Sequence, residues 1–179
     1  MLKIEDAVLV VIDIQGKLAT LMHNKEEFYK NVVRMIEGAG VLDIPIIWNE
    51  QLPDKLGETL PQIKSALEGA QPLIKKSFSC CGNSSFVTQL KDLKRKQILL
   101  VGMETHVCVY QTAQDLLADG FEVFVVADAV SSRSADNKQV GLTVLQDLGA
   151  RLTCVEMALL EMLQTAEGEK FKKVIQIVK

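Results

Sequence analysis

Two stretches of unbroken apolar residues constrain this chain more than anything else in it. Ala7 to Ile12 reads AVLVVI and Ile98 to Val101 reads ILLV, so neither has a polar face to turn toward water. A strand of this kind is buried on both sides, as in a parallel sheet covered by helices. Between such runs the apolar period lengthens to that of a helix: Phe28, Val32, Met35, Ile36 and Ala39 share one face, which Gly40 can end.

The pattern then repeats. Ile44 to Trp48 reads as a second strand, and the polar residues 49–59, with Pro53 and Gly57, read as a loop. A short helix follows from about Pro61. Leu73-Ile74 is a brief strand, and 85–93 is helical behind the cap candidates Asn83 and Ser84. Phe121 to Ala127 is a strand, Asp128 to Asn137 a polar loop, and about 137–148 a helix stopped by Gly149. Ala150 to Val155 is a last strand and 156–164 a helix; 169–179 alternates too weakly to assign. Some six alternations predict an α/β fold: three α/β/α layers around a parallel sheet of about six strands, in one domain over 1–179.

Composition narrows the function classes. The 179 residues are 48% hydrophobic and 24% charged, and 20 basic against 23 acidic residues leave a net charge of −3. No basic stripe interleaves with aromatics, so nucleic acid is not the expected partner. No apolar run is long enough to cross a bilayer, so no membrane partner is expected either. The N-terminus enters its first strand without a secretory signal pattern, and Cys80, Cys81, Cys108 and Cys154 form no CxxC. Both features predict a reducing, cytoplasmic setting.

Ligands of such folds bind beyond the carboxyl ends of the strands. Three reactive residues stand there: Asp13 after the first strand, Lys75 after the third and Cys108 after the fourth. Gly102 reads as the turn after that fourth strand, and Thr105 as the N-cap of a helix carrying Val109, Ala113, Leu116 and Leu117. Cys108 then lies in a first helical turn, where the dipole favours a thiolate. Taken singly, each residue has a plain structural alternative: a small core cysteine, a turn aspartate and a solvated lysine. Together they make a plausible nucleophile, base and cation.

The chain resembles the isochorismatase-like cysteine hydrolase superfamily, which also contains nicotinamidases and N-carbamoylsarcosine amidohydrolases. The resemblance lies in VVIDIQ (10–15), Lys-x-x-Phe-Ser (75–79), VGMETHVCVYQTAQDLLADGFEV (101–123), VADAVSSR (126–133) and LGARLTCVE (148–156). It implies a catalytic triad of Asp13, Lys75 and Cys108, with Lys75 preferred to its neighbour Lys76 because it stands four residues before Ser79. It also implies an oxyanion hole from the backbone N–H groups of Glu104 and Cys108, and a cis peptide between Met103 and Glu104. Gln15, Gln51 and Phe78 are the expected substrate contacts.

Nicotinamidases carry an Asp-x-His metal segment and a further His between the second and third strands. Here the only histidines are His23 and His106, so no metal and no cofactor are expected. Trp48 to Pro53 looks closer to small family members of undefined substrate. The expectation is therefore a hydrolase of a small molecule, acting on a non-peptide C–N bond through an acyl-enzyme. A non-catalytic scaffold, isochorismatase-type vinyl ether hydrolysis, and thiol redox chemistry with Cys80 or Cys81 are the alternatives. Family members commonly assemble, so a homo-oligomer is expected, with 49–59 or the C-terminal segment at its interface.

Overall fold

A computed structural model describes residues 1–179. The strands β1 (Ala7–Ile12), β2 (Ile46–Gln51), β3 (Leu73–Lys75), β4 (Gln97–Met103), β5 (Glu122–Ser131) and β6 (Arg151–Thr153) form one all-parallel sheet. Their order is β3-β2-β1-β4-β5-β6. The chain therefore winds outward in one direction from β1, then returns to place β4 on its other side. The junction of β1 and β4 is the switch point where such sheets leave a crevice.

The unbroken apolar runs are explained by two cores. Ala7, Leu9 and Val11 of β1 face one layer, while Val8, Val10 and Ile12 face the other. The first layer holds the helices α1 (Gly16–Ala19), α2 (Lys25–Val41), α3 (Pro53–Leu56) and α4 (Pro61–Ala66). Of these, α1, α2 and α4 contribute buried side chains such as Ala19, Met35 and Ile63. Across the sheet lie α5 (Ser84–Asp92), α6 (Tyr110–Ala118) and α7 (Ala135–Asp147), through Phe86, Ala113 and Leu145. The last helices, α8 (Val155–Leu163) and α9 (Glu169–Val178), return to the first layer, where Leu159 and Val174 are buried.

Several local expectations need correction. Residues 49–59 are not a plain loop: β2 runs on to Gln51, and Pro53 opens α3. Gly102 belongs to β4 instead of ending it; its φ is +134°, and a Cβ there would lie 2.2 Å from the Ile12 carbonyl oxygen. Only glycine lets β1 and β4 approach so closely. The strand β5 outruns its apolar run because it bulges. Leu100 pairs with Val125 but Gly102 with Val130, so four residues, Val126 to Ala129, oppose Val101 alone. The bulge turns Asp128 so that its Oδ1 accepts the Val155 N–H (3.0 Å) at the start of α8. The unassigned tail is helix α9, because Val174 and Val178 recur at helical spacing against the first-layer core.

Candidate active site

Asp13 follows β1, beside the crevice between β1 and β4, with a positive φ of 54°. It is buried, and so is Lys75 at the end of β3. Lys75 Nζ donates to Asp13 Oδ2 at 2.6 Å, to Gln51 Oε1 at 3.0 Å, and to the carbonyls of Ser77 (3.0 Å) and Phe78 (2.8 Å). Three ammonium protons face four acceptors, so no donor is left over. Lys76, just past the end of β3, is exposed.

The carbonyls beneath Lys75 are held from α6. Ser79 Oγ donates to Asp115 Oδ2 (2.6 Å) and accepts the Cys81 N–H (3.1 Å), while the Cys80 N–H donates to Thr112 Oγ1 (3.0 Å). Thr112 and Asp115 were not singled out from sequence. Their only signal is polar residues three apart on one helix face.

Cys108 lies in one turn of π-helix, Thr105–Val109, in which the Val109 N–H reaches back to the Glu104 carbonyl (3.2 Å). Thr105 is not the N-cap. The wider turn begins at Thr105 itself, and its Oγ1 is buried without a partner. Gly141 of α7 packs on this turn, where a Cβ would stand 3.0 Å from the His106 backbone. His106 Nδ1 lies 3.0 Å from Ser132 Oγ, and the His23 N–H donates to the Ser132 carbonyl (2.8 Å). Both histidines thus brace the end of β5.

The thiol faces a small crowd. Cys108 Sγ donates to Gln51 Oε1 at 3.6 Å. Asp13 Oδ1 has no hydrogen-bond partner, and the Asp13 carboxylate is near enough to the thiol for each group to shift the other. Burial pushes the Cys108 thiol up to about 12, and the Asp13 carboxylate pushes the same way. The Lys75 ammonium and the Glu104 main-chain N–H oppose them and lose. Desolvation thus opposes the thiolate that the helix dipole favours, and it is the larger influence on Cys108. Burial also raises Asp13, to about 6, against the pull of Lys75. At neutral pH a carboxylate therefore stands beside a protonated thiol.

The other cysteines are unpaired, and burial raises both Cys80 and Cys81, the latter to about 11. The Met103–Glu104 peptide is cis. The Glu104 carboxylate accepts from Arg133 Nε at 2.7 Å and from Nη2 at 3.4 Å, an ion pair that sequence reasoning missed. Asp13, Gln15, Gln51, Phe78, Glu104 and Cys108 line a cavity of about 80 Å³, with Leu18, Leu56, Met103 and Val107. Gln15 is fully buried: its Nε2 donates to the Gln51 and Gly57 carbonyls (3.2 and 2.7 Å), and its Oε1 accepts the Gln51 N–H (2.7 Å). Its amide holds the pocket wall together. Phe78 is half exposed at the mouth. No three His, Cys, Asp or Glu side chains gather as metal ligands would, and no helix is long and apolar enough to cross a membrane.

Residues 7–157 match the isochorismatase domain model. The chain belongs to the isochorismatase family. Isochorismatase domain-containing protein 2 of Danio rerio is 35% identical over 178 residues, 99% of this chain and 89% of that one. Among solved structures, the MAR1 ribonuclease from Caenorhabditis elegans is 36% identical with a TM-score of 0.93, covering 99% of this chain and 91% of that one. YcaC from Pseudomonas aeruginosa, solved with hexane-2,5-diol and covalent acrylamide, is 25% identical with a TM-score of 0.92 over 98% and 90% of the two chains. The fold is the three-layer α/β/α hydrolase-type fold of this family.

Proposed function

We propose that the protein is a cysteine-dependent hydrolase of a small molecule, cleaving a non-peptide C–N acyl bond. The observation that carries this reading is the division of labour at Asp13. One oxygen, Oδ2, is bound by Lys75, Oδ1 has no hydrogen-bond partner, and the carboxylate shares a pocket wall with the Cys108 thiol. Cys108 Sγ attacks the acyl carbon and its proton passes to Asp13. The acyl oxygen becomes an oxyanion within reach of the Glu104 and Cys108 main-chain N–H groups. Collapse expels the amine, which takes the proton from Asp13 and leaves a thioester. Water then attacks that thioester, again giving a proton to Asp13, and the thiol is restored as the acid leaves.

Lys75 keeps Asp13 ionised near neutrality against the cost of its burial. Gln51, held by Lys75 and Cys108 through one end of its amide, contacts the substrate, as does Phe78 at the mouth. The covalent acrylamide in the P. aeruginosa relative is in keeping with a reactive site in this family. The name of the C. elegans relative raises a second reading, RNA cleavage. A phosphodiester calls for cations at the reacting phosphate, and the one lysine at the centre has every proton engaged. Acyl chemistry therefore comes first.

A panel of short amides, ureides and carbamoyl compounds, with RNA alongside, tests the reading. Turnover of one panel member should fall more than about a thousandfold in Cys108→Ala. Activity retained in that variant would point to a non-catalytic role for the thiol. We also propose self-association. Val140 and Val144 on α7 and Leu148 at its C-cap form an exposed stripe, and Leu21 and Phe78 are exposed as well. They stand beside the expected interface at 49–59 or the C-terminal segment, of which Val174 itself is buried in the core. Light scattering at micromolar concentration should give a mass above 19.8 kDa; a monomer would rule this out.

A further inference from the structure

We infer that the substrate is uncharged, and that its acyl part is short: about three or four non-hydrogen atoms fit within the pocket. This rests on the cysteine hydrolase reading above and deepens it. The cavity, at about 80 Å³, is about half the volume that encloses a benzene ring in an engineered protein cavity. Its apolar wall is Leu18, Leu56, Phe78, Met103 and Val107.

The charge of the wall is the stronger constraint. Its ionisable groups are Asp13, Glu104 and Cys108, so every charge that it can carry is negative. Neither cation near it belongs to the wall as a free charge. Lys75 is fully buried with all three protons engaged, and Arg133, which bonds Glu104 through Nε and Nη2, is half exposed and lies outside the lining. Lys17, Lys55 and Lys76 are exposed and form no part of the wall. A substrate carboxylate would lie beside the Asp13 carboxylate without a partner, and a buried unpaired anion is strongly disfavoured. That argues against a dicarboxylate such as isochorismate, and equally against ureido acids.

Besides the main-chain N–H groups of Glu104 and Cys108, the pocket offers one neutral side-chain donor. A lysine can only donate, so the Gln51 atom facing Lys75 Nζ must be the oxygen, Oε1. The nitrogen, Nε2, is thereby turned away from Lys75. It has no partner in the protein, and the buried side-chain atoms without partners are Asp13 Oδ1, Asn49 Oδ1 and Thr105 Oγ1. Nε2 is not among them, so it is open to solvent, and Gln51 lines the pocket. Nε2 suits a second neutral acceptor on the substrate, such as a carbonyl, hydroxyl or ether oxygen.

The test uses two alkylating reagents of matched size, one neutral and one anionic. Iodoacetamide and iodoacetate each form a bond from Cys108 Sγ to the methylene carbon, expel iodide and give up the thiol proton to Asp13. Labelling of the Cys108 peptide is followed by mass spectrometry in native protein and in urea-unfolded protein, the latter supplying the intrinsic rate ratio. The expected result is an amide-over-acetate preference at least tenfold larger in the native protein. Leu56→Lys, which puts a cation on the pocket wall, should recover most of the iodoacetate rate, and Leu18→Lys on the same cavity is the independent check. A native ratio equal to the unfolded one overturns the inference while leaving Cys108 as nucleophile. A native preference that neither lysine variant reduces would overturn it as well. If neither reagent labels native Cys108 while unfolded protein reacts, the nucleophile assignment itself falls, and this inference with it.

Discussion

Two carboxylate–cation pairs flank Cys108, and they are built differently. In Asp13–Lys75 both side chains are out of water, 6% and 0% exposed, at 2.6 Å. In Glu104–Arg133 the carboxylate is 9% exposed but the guanidinium 56%, at 2.7 Å. Similar distances thus conceal different roles. The inner pair sits in low dielectric, where its charges act strongly on the thiol and neither can be left alone. The outer pair is anchored at one end and wet at the other, so water can replace the guanidinium. The inner pair sets the charge of the site. The outer one steadies the peptide whose N–H faces the sulfur.

The largest expected effect comes from breaking the inner pair. Lys75→Met should abolish turnover and lower stability by about 3–5 kcal/mol, because it strands the Asp13 carboxylate in the interior. Adding Asp13→Asn to that variant should restore most of the stability and none of the turnover. Urea unfolding of the three proteins measures it, and a double variant no more stable than Lys75→Met would erase the distinction between the pairs.

A pH profile comes next. Asp13 must be ionised to accept a proton, and its carboxyl is held at about 6. Cys108 labelling by iodoacetamide should therefore fall about tenfold per pH unit below that value. The Asp13→Asn variant should lose the inflection, and its labelling should rise only as the thiol itself ionises in alkali. An inflection near 6 that survives Asp13→Asn would assign the proton acceptor elsewhere.

The smallest effect belongs to the outer pair. Arg133→Ala should lower kcat a few-fold, leave KM unchanged and barely move the unfolding midpoint. High salt should mimic it in part, since the guanidinium is screened and the inner pair is not. A loss as large as that of Lys75→Met would make the two pairs equivalent.

Much of this was legible in the residues, for physical reasons that can be named. AVLVVI and ILLV have apolar side chains at consecutive positions because both faces of the central strands meet a core. Asp13, Lys75 and Cys108 stood out because parallel strands all end on one edge. What stayed hidden depends on contacts across the chain. The β5 bulge arises from pairing with β4, and no residue in Val126 to Ala129 announces it. Thr105 has the chemistry of a cap, but the turn after it is too wide to use its hydroxyl. The protonation of Cys108 is set by how much protein covers it, which local sequence does not encode. Arg133 and Glu104 are 29 residues apart and meet only once the end of β5 lies beside β4.

The position of Lys75 has a further consequence. It sits on a three-residue strand at the edge of the sheet, paired on one side only, with β2. Short edge strands open at lower free energy than the global unfolding of the domain. Asp13 and Cys108, by contrast, follow β1 and β4 at the centre of the sheet. The ammonium is thus the one member of the site carried by an edge strand, and fraying of this edge would dismantle the site reversibly while both cores remain intact. On warming, the molecule would forget its chemistry before it forgets its shape.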